Sequence, residues 1–202
     1  ETSKLSRAPL EIKVDLIVQL LEAITRLIRN GILHRDITPS NIMVFGDCLS
    51  PHGCRLKLAD FGLACGGNVS RCTGNPGTRW YIPPESCLPG GIVETDVWAA
   101  GLTAFEILVG RQPLGWDDHP FKTKFKSMIR LVKLQEVRRA YLQHSPMRDP
   151  GLGAYPELRP LLAGMLEMNP CERFVPMEAL MEAKKVARML SEGVLRPSPH
   201  PH

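Results

Sequence analysis

Ile17, Leu20, Leu21, Ile24, Leu27 and Ile28 recur at the three-and-four spacing of one helical face, while Gln19, Glu22, Arg26 and Arg29 take the opposite one. This pattern predicts an amphipathic helix. Asn30-Gly31 ends it, because glycine accepts the left-handed C-terminal position. Two short apolar runs follow, Ile42 to Val44 and Leu56 to Leu58, with the turn formers Gly46, Asp47, Ser50, Pro51 and Gly53 between them. They predict a small hairpin with a long loop. Gly62 to Pro84 is rich in Gly, Pro, Ser, Thr and Asn and reads as mostly irregular, and so long a stretch inside a compact domain is usually functional. From Thr95 to Val109 the run Val97, Trp98, Gly101, Leu102, Phe105, Leu108 and Val109 is apolar around much of a helix, which predicts a buried central helix closed by Gly110. Amphipathic helices are expected over Phe121 to Leu142, Glu157 to Glu167 and Met177 to Leu190, with Pro156, Pro160, Pro170 and Pro176 at helix starts or between helices. Arg196 to His202 alternates Pro with polar residues and reads as a disordered tail. The fold class is mainly α, with one hairpin near the first third.

Composition adds bounds to this picture. At 202 residues, 44% hydrophobic and 23% charged, the chain is ordinary globular material with enough length for a sizeable core. Lys plus Arg at 25 against Asp plus Glu at 21 gives +4, too mild and too scattered to indicate nucleic acid. No apolar run approaches the roughly 20 residues of a membrane span, so no membrane partner is expected. Cysteines at 48, 54, 65, 72, 87 and 171 form no C-x-x-C pair and have no His at zinc-finger spacing. They are expected as reduced thiols in an intracellular protein, cytoplasmic or nuclear.

The candidate chemistry begins after the first helix. His34-Arg35-Asp36 is followed by Asn41 five positions beyond the aspartate, and Asp60-Phe61-Gly62 follows the second hairpin strand. This order resembles the H-R-D-x-x-x-x-N catalytic loop and D-F-G of eukaryotic-type protein kinases. Gly77-Thr78-Arg79-Trp80-Tyr81 with Pro83-Pro84-Glu85 resembles the G-T-x-x-Y and A-P-E end of that family's activation segment, with Pro83 in place of Ala. Asp96-Val97-Trp98 is similar to the start of the family's central helix, and Asn169-Pro170 with Arg173 to its late D-P-x-x-R element. The resemblance runs from about residue 10 to about residue 190 and implies the C-terminal lobe of a protein kinase, residues 1–190, with 191–202 as a Pro/His-rich tail. The wording Asp-Ile-Thr-Pro-x-Asn is also similar to the catalytic loop of a herpesviral kinase family.

The resemblance implies roles residue by residue. Asp36 accepts the substrate hydroxyl proton, Asn41 and Asp60 hold Mg²⁺ against the phosphates of ATP, and Thr78 hydrogen-bonds Asp36. Glu85 and Arg173 form a buried ion pair, Asp96 accepts backbone N–H groups of the His34-Arg35 turn, and Phe61, followed by Gly62, packs against His34 as part of the core. Arg35 pairs either with a phosphate carried on Ser70 or Thr73 of the activation segment or, with neither modified, with an acidic side chain.

Departures from the family pattern set a competing expectation. Thr38 stands where Ser/Thr kinases usually carry a Lys that neutralises the γ-phosphate, and loss of one such stabiliser commonly costs on the order of a hundredfold in rate. This span has no G-x-G-x-x-G turn, no V-A-I-K Lys and no helix supplying its Glu partner, so the N-terminal β lobe is absent from it. The implied partners are a protein substrate and that missing lobe. Lys122, Lys124, Lys126, Arg130, Lys133, Arg138 and Arg139 read as a solvated helix face, with docking of an acidic partner as the alternative. A Ser/Thr kinase is the first expectation, a pseudokinase or truncated regulator the alternative. A small-molecule kinase of the aminoglycoside type is disfavoured by the Pro-Pro-Glu and Asp-Val-Trp elements.

Overall fold

A computed structural model describes residues 8–48, 53–67, 72, 77–83, 85, 94–113, 141 and 145–195. Its longest helix, α1 (Leu10–Arg29), buries Leu10, Val14, Ile17, Leu21 and Ile24 along one stripe and Leu16 and Leu20 beside it. Asn30 and Gly31, at φ +69°, close its C-terminus as the dipeptide predicts. α2 (Glu94–Val109) buries Val97, Trp98, Ala100, Leu102, Phe105 and Leu108 around its circumference, so it is the central helix that its apolar pattern implies. A Cβ at Gly101 would lie 2.8 Å from Leu166 Cδ2, and the missing side chain is what lets α2 approach α3 (Arg159–Met165) closely. α4 (Pro176–Ser191) starts on a proline, and the Glu178 side chain accepts the backbone N–H of Val175 at 3.0 Å. Its inner face (Ala179, Leu180, Ala183, Val186 and Leu190) packs chiefly against α1.

Two small antiparallel ladders complete the described fold. β2 (Ile42–Gly46) pairs with β3 (Cys54–Leu58) in the register Ile42 with Leu58 through Gly46 with Cys54, the hairpin expected from the sequence. β1 (Ile32–Leu33) pairs with β4 (Cys65–Gly66), Ile32 opposite Gly66 and Leu33 opposite Cys65. That second ladder interrupts the stretch read as irregular, as does a 3-10 turn over Arg79–Tyr81. The helix expected over Glu157 to Glu167 is shorter, because Pro156–Leu158 winds as a tighter 3-10 turn first.

The cysteines require a correction. Cys48 and Cys54 are disulfide-bonded across the hairpin loop, and Cys65 is bonded to Cys72, where reduced thiols were expected. The fold brings each pair to bonding distance, with Cα atoms 4.8 and 6.0 Å apart, which spacing alone does not reveal. No helix among the described residues is long and apolar enough to cross a membrane. The expected helix over 121–142 (Tyr141 apart), its seven basic residues, Ser70, Thr73, and the tail from residue 196 lie outside the described residues.

Candidate active site

The two ladders fix where the motif residues meet. β1 runs directly into His34, β2 emerges from Asn41, and β3 runs into Ala59-Asp60, so segments 34–41 and 59–64 lie between them. The register pairs Ile42 with Leu58, and Ala59 donates its N–H to the Asn41 carbonyl at 2.9 Å, placing Asn41 and Asp60 at the same end of the hairpin. Pro39 opens a 3-10 turn whose Asn41 N–H reaches the Thr38 carbonyl at 3.0 Å. That turn carries the Asn41 side chain back onto Asp36.

Both oxygens of Asp36 are engaged. Asn41 Nδ2 donates to Asp36 Oδ2 at 2.9 Å and to the Asp36 carbonyl at 2.8 Å, and Thr78 N–H donates to Asp36 Oδ1 at 2.7 Å. A carboxylate oxygen has two acceptor positions, so each keeps one for a further donor. Thr78 reaches Asp36 through its backbone. The approach depends on Gly77, at φ +119°, where a Cβ would lie 2.4 Å from the Arg35 carbonyl oxygen.

Below the loop, Asp96 in the first turn of α2 accepts His34 N–H at 2.7 Å and Arg35 N–H at 2.9 Å. Burial pushes the Asp96 carboxyl up, and these two N–H groups pull it back down. His34 is fully buried, its Nε2 3.1 Å from the Ala59 carbonyl. Arg35 and Asp60 are the non-glycine residues with positive φ, at +69° and +60°, among those described. Such backbone costs on the order of 1–3 kcal/mol per residue and persists where the surroundings over-determine it. Here Asp96 holds the first, and the Asp60 side chain accepting Gly62 N–H at 3.1 Å holds the second.

Phe61 packs against the His34 ring, as expected, with centroids 4.9 Å apart and the planes tilted by 60°, but it is 49% exposed and so is not part of the core. Thr38 is 2% exposed, so its hydroxyl is turned away from solvent where a phosphate-neutralising Lys would be presented. Glu85 and Arg173 form the buried pair, with Nη2 to Oε2 at 2.9 Å, Arg173 Nε donating to the Glu167 carbonyl and the guanidinium over the Trp98 ring at 4.9 Å.

Asn41 Oδ1 is the remaining acceptor of a side chain whose amide nitrogen is already committed, and Asp60 is exposed. No group of three or more His, Cys, Asp or Glu able to hold a metal occurs among the described residues. One carboxylate and one amide oxygen still suit a hard cation such as Mg²⁺, which normally takes its other ligands from substrate phosphates and water.

A family model described as protein kinase domain matches residues 4–183. The chain belongs to the protein kinase family. Mitogen-activated protein kinase 14 of Xenopus laevis is 34% identical over 183 residues, covering 82% of this kinase chain and 48% of its own length. The calcium/calmodulin-dependent protein kinase type II alpha chain of Drosophila melanogaster is 34% identical over 168 residues, covering 81% and 28% respectively. The chain thus spans about half or less of the length of these curated relatives. Members of this family use ATP and Mg²⁺, and its helical body with small sheets is the fold described above.

Sequence reasoning left three supports of this candidate site, Tyr81, Glu106 and Tyr141, without a role. Tyr81 Oη donates to Glu106 Oε1 on α2, both groups buried. Tyr81 N–H bonds the Thr78 carbonyl at 2.9 Å, so this contact fixes the turn that aims Thr78 at Asp36. Burial, then the Glu106 charge, push the Tyr81 phenol up. Tyr141 Oη donates to the Ile82 carbonyl at 2.8 Å and anchors the next residue. The available signal was Glu106 itself, a lone carboxylate in an apolar helix.

Proposed function

We propose that residues 1–190 are the C-terminal lobe of a Ser/Thr protein kinase, with 191–202 as a tail, and that the whole enzyme transfers the γ-phosphate of Mg²⁺-ATP to protein hydroxyls. The observation that carries this reading is the Asp36 carboxylate, held on one oxygen by Asn41 and on the other by Thr78 N–H. A carboxylate fixed at both ends pays little orientational entropy when a substrate hydroxyl arrives, and it accepts that hydroxyl's proton at an unused lone pair. Asn41 Oδ1 and Asp60 would hold Mg²⁺, which neutralises phosphate charge when bound. Segment 77–82, pinned through Gly77, Thr78, Tyr81 and Ile82, would position the substrate chain beside Asp36. The missing N-terminal lobe would close over the nucleotide.

A second reading, a kinase-like regulator without turnover, is favoured by one observation: Thr38 is buried and brings no positive charge. Transfer of labelled phosphate to a peptide library by the full-length protein decides between them. Activity that is lost in Asp36→Asn and kept or raised in Thr38→Lys supports the enzyme; transfer that survives Asp36→Asn unchanged refutes Asp36 as the base.

A further inference from the structure

Gln19 falls on the polar face of α1 in the sequence pattern, yet in the fold it is half-buried against β3. Residues of an antiparallel strand alternate in the direction of their N–H and C=O groups. Ala59 N–H points at the Asn41 carbonyl, so Cys54 and Leu56 present their backbone groups away from β2. Both residues are buried, and a strand edge left bare there would hold unpaired polar groups. The Gln19 side chain takes both. Its Oε1 accepts Leu56 N–H at 2.8 Å and its Nε2 donates to the Cys54 carbonyl at 3.0 Å, so the side-chain amide stands in for the peptide unit of a third strand. Asp15 Oδ2, one turn earlier in α1, accepts from the same Nε2 at 2.7 Å. With two acceptors on one side and an N–H on the other, a single orientation of the amide fits.

We infer that Gln19 is a positioning residue for the metal-holding side of the site: it seats β3 on α1 and so sets where Asp60 stands relative to Asn41. Its meaning for catalysis rests on the kinase reading; the seating of β3 does not.

The route from Gln19 to the site is short. β3 ends at Leu58, two residues after Leu56, and Ala59 and Asp60 follow directly. Ala59 donates its N–H to the Asn41 carbonyl, and its own carbonyl lies 3.1 Å from His34 Nε2, so a strand that shifts against α1 pulls on both. The base is held differently, because Asp36 is bonded by Asn41 Nδ2 and Thr78 N–H, neither of which β3 carries. Loss of Gln19 is therefore expected to disturb metal holding more than proton transfer. Removing the partner of a buried N–H shifts a local opening equilibrium by on the order of tenfold. Ala59 keeps its contacts with Asn41 and His34, so it feels only part of that factor.

The test uses the full-length protein and two variants. Gln19→Met keeps the side-chain length and removes the donors and the acceptor, while Asp15→Ala, at an exposed position, removes only the carboxylate that orients the amide. Amide exchange is followed at Leu56, at Ala59 and, as a reference in the core, at Leu102 of α2, and phosphoryl transfer is measured against Mg²⁺ concentration. Relative to Leu102, Gln19→Met is expected to accelerate exchange about tenfold at Leu56 and about threefold at Ala59. It should raise the Mg²⁺ concentration for half-maximal transfer about threefold and leave kcat at saturating Mg²⁺ within about twofold, a split that a general loss of stability does not produce. Asp15→Ala should give smaller shifts in the same direction, and it decides by the same criteria if Gln19→Met does not fold. Ala59 exchange that moves no more than Leu102, or a fall in kcat at an unchanged Mg²⁺ half-saturation, would overturn the inference and leave Gln19 as a stabilising contact only. Failure of the kinase reading looks different: no transfer by the wild type at any Mg²⁺ concentration, with the exchange result intact.

Discussion

Gly77 and Glu106 show how single residues act on Asp36 without meeting a substrate. At Gly77 any side chain must displace the Arg35 carbonyl, which lies 2.4 Å from the position of an added Cβ, and the φ of +119° is itself unfavourable for an L residue. Gly77→Ala should therefore shift Thr78 away from Asp36. Misplacement on the scale of an ångström costs about a hundredfold in turnover, so kcat of the full-length protein is expected to fall by that order, with the backbone strain lowering the melting temperature by a few degrees at most, on the order of 2–4 °C per kcal/mol. Glu106 contributes through protonation. Burial raises its carboxyl above the ordinary glutamate range, and the Tyr81 hydrogen bond offsets part of the rise. An acid whose folded value is raised favours the fold most when protonated, so its contribution is present below the ordinary glutamate value and is lost as pH climbs through the raised one. Buried Asp96 acts in the same direction. Glu106→Gln keeps an acceptor for the Tyr81 hydroxyl and removes one titration. Thermal melts across the acidic range should show a shallower fall with rising pH than the wild type; an unchanged slope would mean that Glu106 does not carry the effect.

Among the described elements, the charged tie between segment 77–85 and the helical body is the Glu85–Arg173 pair, beside the Tyr81–Glu106 and Tyr141–Ile82 hydrogen bonds. The Arg173 side chain is fully buried, between Glu85, the Glu167 carbonyl and the Trp98 ring. Arg173→Met leaves Glu85 as a buried, unpaired charge, a change that costs roughly 3–5 kcal/mol. Urea denaturation should show that loss, and adding Glu85→Gln to Arg173→Met should recover part of it by removing the stranded charge. Elements defined by a repeating pattern were legible in the sequence: α1 and α4 from their three-and-four spacing, α2 from apolar residues all around, the hairpin from two apolar runs separated by turn formers. The β1–β4 ladder was not, because two residues per strand carry no period and their pairing is set by the loops they join. The disulfides were hidden for a related reason, since cysteine spacing says nothing about which loops the fold brings together. In the site, Asp36, Asn41 and Asp60 were legible as a family motif, whereas the Tyr81–Glu106 contact joins positions 25 apart in sequence and exists only once α2 is packed.

At the scale of the molecule, the candidate site lies beside apolar surface. Met43, Phe45, Phe61 and Leu63 are 40–49% exposed, on β2 and in the segment after Asp60, the same two segments that bring Asn41 and Asp60 together. Within β2 the alternation is informative: Ile42 is buried, while Met43 and Phe45 project outward opposite Lys57 and Arg55. A nucleotide laid against this face would be covered on one side. Ligand pockets ordinarily bury 70–90% of a small molecule's surface, and about half that burial leaves polar phosphate contacts to supply most of the affinity. The 202-residue chain should accordingly bind Mg²⁺-ATP no more tightly than about 1 mM, near 4 kcal/mol of binding free energy. A form that includes a covering lobe should bind at least tenfold tighter. Isothermal titration of both forms checks this. Micromolar binding by the 202-residue chain would mean that the described face, with whatever residues 114–140 add to it, already encloses the nucleotide, and the lobe reading would then have to be abandoned.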